Sequence, residues 1–434
     1  MNKEKIFEIL NDWNYWFKPL PNTYRRAFYE EEIARKSQAK EVIVIKGVRR
    51  SGKSSLLINE IKRLLKNGVD VKNILFVNFE DQRFRLFKEE TLLEEIKSVY
   101  LEYVQPQGDV IIMLDEVQNI KNWEQWVLKE YELSSNALYV TGSNSHLLGV
   151  EFGSALGGRY LDIEVFPLSF KEYLAFNNIV IQSKAEQIHH LLTLKQHFNN
   201  YILFGGFPKT VLLEDAELKK ETLKSYYDSI LLKDIVARYQ LKNYQLLNEL
   251  ALFLLSNNAT THAYNRLKNN FSTSFDTIRD YIEYLLNSYM LLAIYKFDYS
   301  YKKQLANPKK FYAIDTGFAN AVSFNVSKKL GANLENIVLL ELRRRYKEIF
   351  YYKTQNGLEV DFLLREEEKI KLIQVSVTLE NEVTYKRELR VFAQAKKELK
   401  EELVAQVITF DKTQTLLYEG VEIEVINVFD FLLE

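Results

Sequence analysis

The chain has 434 residues, enough for two to four units of ordinary size, and its 47% hydrophobic and 27% charged residues are a globular composition. It has no cysteine and five histidines, which excludes a disulfide framework and thiolate metal sites and argues against structural zinc. The formal net charge is −1, from 58 basic and 59 acidic residues, so any nucleic-acid contact has to come from a local basic patch.

The opening stretch, MNKEKIFEILNDWNYWF, has acids inside its apolar pattern and no small-residue cleavage site, unlike a signal peptide. No run approaches the roughly 18 to 20 apolar residues that cross a bilayer. A soluble cytoplasmic protein is expected. From about 41 to 165, the apolar runs EVIVIKG, NILFVNFED, DVIIMLDEV and ALYVTGS alternate with helical patterns. Continuous Val/Ile/Leu runs between helices predict a parallel sheet covered on both faces.

Between the first run and its helix stands GVRRSGKSS, with Gly47, Arg49, Arg50, Ser51, Gly52, Lys53, Ser54 and Ser55. It fits G-x-x-x-x-G-K-[ST] at every fixed position, in the strand-to-helix context that the motif needs. Backbone N–H groups in such a loop curl around phosphate oxygens, and the helix N-terminus adds its positive end. Lys53 is placed to reach the β and γ phosphates of ATP, and the Ser54 hydroxyl to ligate Mg²⁺. Arg49 and Arg50 pack against the nucleotide or a neighbouring subunit, or else are solvated loop residues.

A carboxylate on an adjacent strand must complete such a site. VIIMLDEVQNI supplies Asp115 and Glu116. Asp115 is the expected magnesium residue and Glu116 the residue that polarises the attacking water. The next strand ends in LYVTGSNS, where Ser143, or second Asn144, can sense the γ-phosphate. Arg159, after two glycines and before another strand, is either a finger that completes a neighbour's site or a structural arginine paired with Asp162 or Glu164.

On these residues the chain resembles the archaeal and bacterial AAA-type ATPases. The matching motifs are GVRRSGKSSLL, LDEVQNIKNW and TGSNSHLL with LGGRY; the later YILFGGFP and LENIVLLELRRR match the C-terminal region that accompanies this ATPase domain. The resemblance implies an AAA+-like core in which Lys53, Ser54, Asp115, Glu116 and Arg159 take the usual roles. It says little about the substrate.

Residues 169–240 read as helices broken at LFGGFP, and serve as a helical lid. Residues 241–315 invite a winged helix-turn-helix reading. QLLNELALFLLSNN, THAYNRLKNNF and STSFDTIRDYIEYLLNSYM are its three helices, and LLAIYKFDYS with KKFYAID its two-stranded wing. Lys296, Lys302, Lys303, Lys309 and Lys310 make the wing basic, whereas Asp276, Asp280 and Glu283 surround Arg279 on the third helix.

The last unit, 316–434, resembles a PD-(D/E)xK restriction-endonuclease-like core, with Glu341 on a helix and Asp361 on a strand. At the E-x-K position stand Gln374, Val375 and Ser376. An amide is a poor ligand for a hard cation and a hydroxyl cannot replace an ammonium, so no cleavage is expected. The fold class predicted for the whole is therefore α/β: an AAA+-like P-loop core over 1–168, a lid, a winged helix and a nuclease-like domain. The function predicted is an oligomeric ATPase, a ring or cluster of subunits, that couples hydrolysis to binding, translocation or remodelling of DNA. The alternative is an ATP-dependent switch or scaffold whose C-terminal half contacts protein.

Overall fold

Five parallel strands carry the first part of the chain: β1 (Val42–Lys46), β2 (Ile74–Asn78), β3 (Ile111–Asp115), β4 (Ala137–Gly142) and β5 (Tyr160–Glu164), in the order β2-β3-β4-β1-β5. The computed structural model describes residues 2–84, 91–144, 156–323, 330–366 and 369–434. The chain divides into two compact units, one of residues 1–166 with 287–289 and one of residues 167–286 with 290–434.

In the first unit, four of the five residues of β1 and of β2 are buried, because helices cover both sheet faces. One face packs α1 (Lys3–Trp13), α4 (Thr91–Val104) and α5 (Trp123–Leu133). The other packs α2 (Ala27–Ser37) and α3 (Lys53–Lys66). Strand β4 lies between β1 and β3, so the P-loop and the acid pair stand on alternate strands. The outer edge of β2 is closed by side chains. Asn14 donates to Phe76 O at 2.8 Å and accepts from Phe76 N–H at 2.7 Å, and the Trp16 indole donates to Ile74 O at 2.9 Å. The opening helical stretch thus serves the ATPase sheet.

The second unit begins with helices, as its pattern predicts. The helix Phe170–Phe176 starts at a capping box of Ser169 and Glu172, and Leu191–Phe204 ends where LFGGFP begins. Its sheet has nine strands, in the order β13-β14-β12-β11-β10-β9-β7-β8-β6. These are β6 (Thr260–His262), β7 (Leu291–Lys296), β8 (Lys309–Ala313), β9 (Phe350–Lys353), β10 (Glu359–Glu366), β11 (Lys369–Val375), β12 (Glu402–Thr409), β13 (Gln414–Tyr418) and β14 (Val421–Asn427). Strands on both sides of residue 315 share this sheet, because β7 pairs in parallel with β9. Between β7 and β8, where the sequence predicts only a loop, lies the short helix Tyr301–Ala306.

Candidate active site

The P-loop leaves the end of β1 and turns into α3. A Cβ on Gly47 would lie 2.1 Å from Val165 O, so no larger residue fits there. Gly52 caps α3 at φ +100°, a conformation that L side chains rarely adopt. Behind the loop, buried Arg26 donates to Ser51 O at 2.9 Å and to Phe166 O at 3.0 Å, and stacks over Tyr29. Nothing in the sequence motif points to Arg26, which precedes the loop by a helix and a strand. The Ser51 hydroxyl is buried inside the loop without a hydrogen-bond partner.

Seven polar side chains converge above β1, β3 and β4. Ser54 donates to Asp115 Oδ2 at 2.6 Å, and Thr141 donates to Asp115 Oδ1 at 2.5 Å. Thr141 Oγ1 also accepts the Glu116 N–H at 3.0 Å. Lys53 Nζ lies 3.1 Å from Glu116 Oε1 and donates to Gly47 O at 3.1 Å. Gln118 donates to Glu116 Oε2 at 2.6 Å and to Ser143 Oγ at 3.3 Å. Thr141 and Gln118 lie inside the TGSNSHLL and LDEVQNIKNW stretches but are not among the site residues predicted from sequence; only the sheet register shows what each touches.

Burial and the adjacent Glu116 carboxylate push Asp115 up, to about 6. Burial works in the same direction on Glu116, but Lys53 and Arg49 outweigh it and pull the carboxyl down to about 2. Two neighbouring acids are thus held apart in proton affinity. Glu116 stays ionised, and Asp115 keeps its proton to a higher pH.

Of the remaining predicted residues, Ser143 and Asn144 are buried at the end of β4. Residues 145–148 of that motif lie outside the described residues. Arg49 is buried and ion-paired with Glu80, so it is not a solvated loop residue. Arg50 is exposed, at φ +70°. Ser55 is exposed on the first turn of α3. Arg159 pairs with Glu132 at 2.6 Å, not with Asp162 or Glu164; Asp162 pairs with Lys46 at 2.6 Å. Arg159 precedes β5, at the end of the sheet opposite the P-loop.

In the second unit two expectations are corrected. Lys310 is not a solvent-facing wing lysine: it is buried, and bonded to Glu335, Glu359 and Asp361. It points inward because β8 is an interior strand of the nine-stranded sheet. Glu341 is not the helix acid that joins Asp361, because Arg344 and Arg345 hold it. Glu335, on the same helix Leu330–Arg345, is the acid that shares Lys310 with Asp361. Lys302 and Lys303 are exposed, while Lys309 is half-buried over the rings of Tyr264 and Tyr295.

Comparison with known proteins agrees with this geometry. Residues 39–174 match an AAA domain, and residues 195–330 and 330–428 match two domains of unknown function, DUF8612 and DUF4143. An uncharacterized protein of Methanocaldococcus jannaschii is 34% identical over 381 residues, 86% of this chain and 82% of that protein. An uncharacterized protein of Haemophilus influenzae is 30% identical over 357 residues, 81% of this chain and 86% of that protein. Among solved structures, a Walker-type ATPase of Pyrococcus abyssi aligns with a TM-score of 0.47 at 13% identity, covering 69% of this chain and 96% of that one. AMPPCP-bound DnaA from Aquifex aeolicus aligns with a TM-score of 0.28 at 15% identity, covering 64% of this chain and 92% of that one. The chain therefore belongs to one family with these Methanocaldococcus jannaschii and Haemophilus influenzae proteins, and its P-loop and acid pair lie in the part that matches an AAA domain.

Proposed function

We propose that the chain binds ATP with Mg²⁺ at the loop of Gly47, Arg49, Arg50, Ser51, Gly52, Lys53, Ser54 and Ser55, and hydrolyses it. One observation carries this reading: Ser54, Asp115 and Thr141 form one hydrogen-bonded set beside the Lys53–Glu116 pair. The orphaned Ser51 hydroxyl, buried inside the loop, fits a polyphosphate there. The Ser54 hydroxyl and Asp115 carboxylate are a hard-oxygen donor set that suits magnesium. When bound, Mg²⁺ supplies charge neutralisation to the phosphates.

The chain's own residues do the rest. Lys53 leaves Glu116 for the phosphates. Glu116, freed of its cation, accepts the proton of an incoming water, and Gln118 keeps its carboxylate oriented. Ser143, linked to Gln118, reports on the γ-phosphate, with Asn144 the second candidate. Phosphate release by wild type and by Glu116→Gln tests the reading: turnover unaffected by the substitution contradicts it.

The site is completed by a second copy. Arg159 precedes β5, whose parallel partner β1 ends at the P-loop. Five residues at about 3.3 Å each place it about 16 Å from its own phosphates. That separation supports a finger acting in trans in a homo-oligomer, released from Glu132 when it engages.

For the second unit, the order helix, β6, two helices, β7 and β8 supports the winged-helix reading, and Lys302 and Lys303 are its exposed cations. DNA contact through them is the first reading of what hydrolysis drives. A second reading, contact with protein, is favoured by Arg279, whose charge is taken up by Asp276 and Asp280 at 3.0 Å each. The chain order β9, β10, β11, helix Glu382–Glu398 and β12 supports the nuclease-like reading. Gln374 and Ser376 there support the absence of cleavage. A helical lid over 169–240 and a cytoplasmic location belong to the same proposal. Among the described residues no helix is long and apolar enough to cross a membrane.

A further inference from the structure

The Lys310 cluster belongs to no nucleotide site and is unusual for its depth. Lys310 is 2% exposed, and its ammonium lies 2.7 Å from Glu335 Oε1, 2.9 Å from Glu359 Oε1 and 3.0 Å from Asp361 Oδ1. Glu359 and Asp361 are two apart on β10 and share one face; Glu335 comes from the helix beside them. Acids gathered in a low-dielectric interior are stabilised by a cation at their centre, and burial with the neighbouring Asp361 pushes Glu335 up, to about 8.

The surrounding groups fix these oxygens. Tyr312 donates to Glu335 Oε1 at 2.6 Å, and Asp361 Oδ2 accepts the Val375 N–H at 3.0 Å. The amide of Gln374 accepts the Asp361 N–H at 3.3 Å and donates to Glu388 at 2.7 Å. Residue 374, read from the sequence as a missing metal ligand, braces Asp361 instead. The cluster opens to water at Glu359, whose side chain is 30% exposed.

We propose that the Lys310 ammonium is the resident cation of this site and stands where a divalent metal would otherwise bind, so that these carboxylates take up a metal only when Lys310 is removed. The geometry favours this over an ordinary ion-pair network. Three oxygens surround a single point, and calcium–oxygen distances of about 2.3–2.6 Å need them to close in by only a few tenths of an ångström. A tethered ammonium cannot be chelated, so this unit is indifferent to divalent ions and to EDTA.

The test uses nucleotide-free, full-length protein titrated with Ca²⁺ and with Mn²⁺, by calorimetry and thermal unfolding. Lys310→Ala should bind one ion on the order of tenfold or more tightly than wild type, and its melting temperature should rise with Ca²⁺. The double variant Lys310→Ala, Asp361→Asn should lose that gain. The P-loop acids are identical in all three proteins, so the gain cannot come from them, and the outcome is independent of the ATPase reading. Binding by Lys310→Ala no tighter than by wild type overturns the proposal. So does a wild-type site that disappears with Asp361→Asn. If Lys310→Ala purifies unfolded, refolding that succeeds only with Ca²⁺ or Mn²⁺ supports the proposal, and failure with Ca²⁺, Mn²⁺ and Mg²⁺ alike overturns it.

Discussion

Lys53 Nζ and Glu116 Oε1 lie 3.1 Å apart, both buried. The two side chains neutralise each other, and in the proposed function a bound nucleotide separates them. Lys53→Ala removes the partner of both the phosphates and Glu116. Nucleotide affinity should fall roughly 10- to 100-fold, the worth of about 1.5–3 kcal/mol for a hydrogen bond to a charged group. Titration with a fluorescent ATP analogue checks this, and unchanged affinity would remove Lys53 from the site.

Thr141 is a further point of leverage. It donates to Asp115 and accepts from the Glu116 backbone, so it joins the two acids. Thr141→Val leaves a buried N–H without an acceptor and should destabilise the unit by about 1–3 kcal/mol. Turnover should fall with it. Thr141→Ser keeps the hydroxyl and should recover both. Denaturant unfolding and phosphate release on the two variants separate the outcomes.

The raised proton affinity of Asp115 makes a pH prediction with a definite sign. Its ordinary value of 3.8 rises to about 6 in the folded chain. Between these values the folded state holds a proton that the unfolded state has released. In EDTA, Asp115 therefore contributes stability at low pH that is lost as the pH rises through about 6. Mg²⁺ should restore stability above pH 6 and do little below it. Melting curves at pH 5 and 7.5 for wild type and Asp115→Asn test this, because the variant should lack both effects. Equal magnesium responses in the two proteins would remove Asp115 from the metal site.

Which residues gather at the candidate site was largely legible in the sequence because they lie in short local stretches. Gly47, Gly52, Lys53 and Ser54 must be contiguous to wrap a phosphate, and Asp115 with Glu116 must end an apolar strand. What stayed hidden depends on register between distant segments. Thr141 meets Asp115 only because β4 lies beside β3, and Arg26 reaches the loop from before α2. The same limit applied in the second unit. The spacing of Lys309 and Lys310 reads as a basic wing, but an interior strand turns Lys310 inward, onto acids 25 to 51 positions away. Glu341 and Glu335 share one helix, and only packing decides which one meets Asp361.

Arg159 tests the oligomeric reading. Mixing Arg159→Ala subunits with Glu116→Gln subunits should give partial activity, since some sites then receive both groups. A finger contributes about 10³ to 10⁵ in rate. Normal hydrolysis by Arg159→Ala alone would leave the residue with only its Glu132 pairing.

The second unit makes a separate prediction about DNA. Lys302→Ala with Lys303→Ala should weaken duplex binding about equally for all sequences. The slope of log affinity against log salt should flatten by about 0.9 for each phosphate that the variant no longer neutralises. Neither wild type nor the variant should cleave DNA or RNA with Mg²⁺. Unchanged affinity in the double variant moves this unit to the protein-contact reading, and cleavage abolished by Asp361→Ala refutes the inactive-nuclease reading.

The central claim is that Glu116 acts on water and not on nucleotide binding. The most direct measurement is a paired one on Glu116→Gln: ATP affinity at equilibrium, and release of phosphate from pre-bound ATP in a single turnover. ATP should bind as tightly as to wild type or more tightly, since Lys53 loses its competing anion, and its hydrolysis should slow on the order of 10²-fold or more. Hydrolysis at the wild-type rate, or loss of ATP binding with Lys53 still in place, would contradict the account.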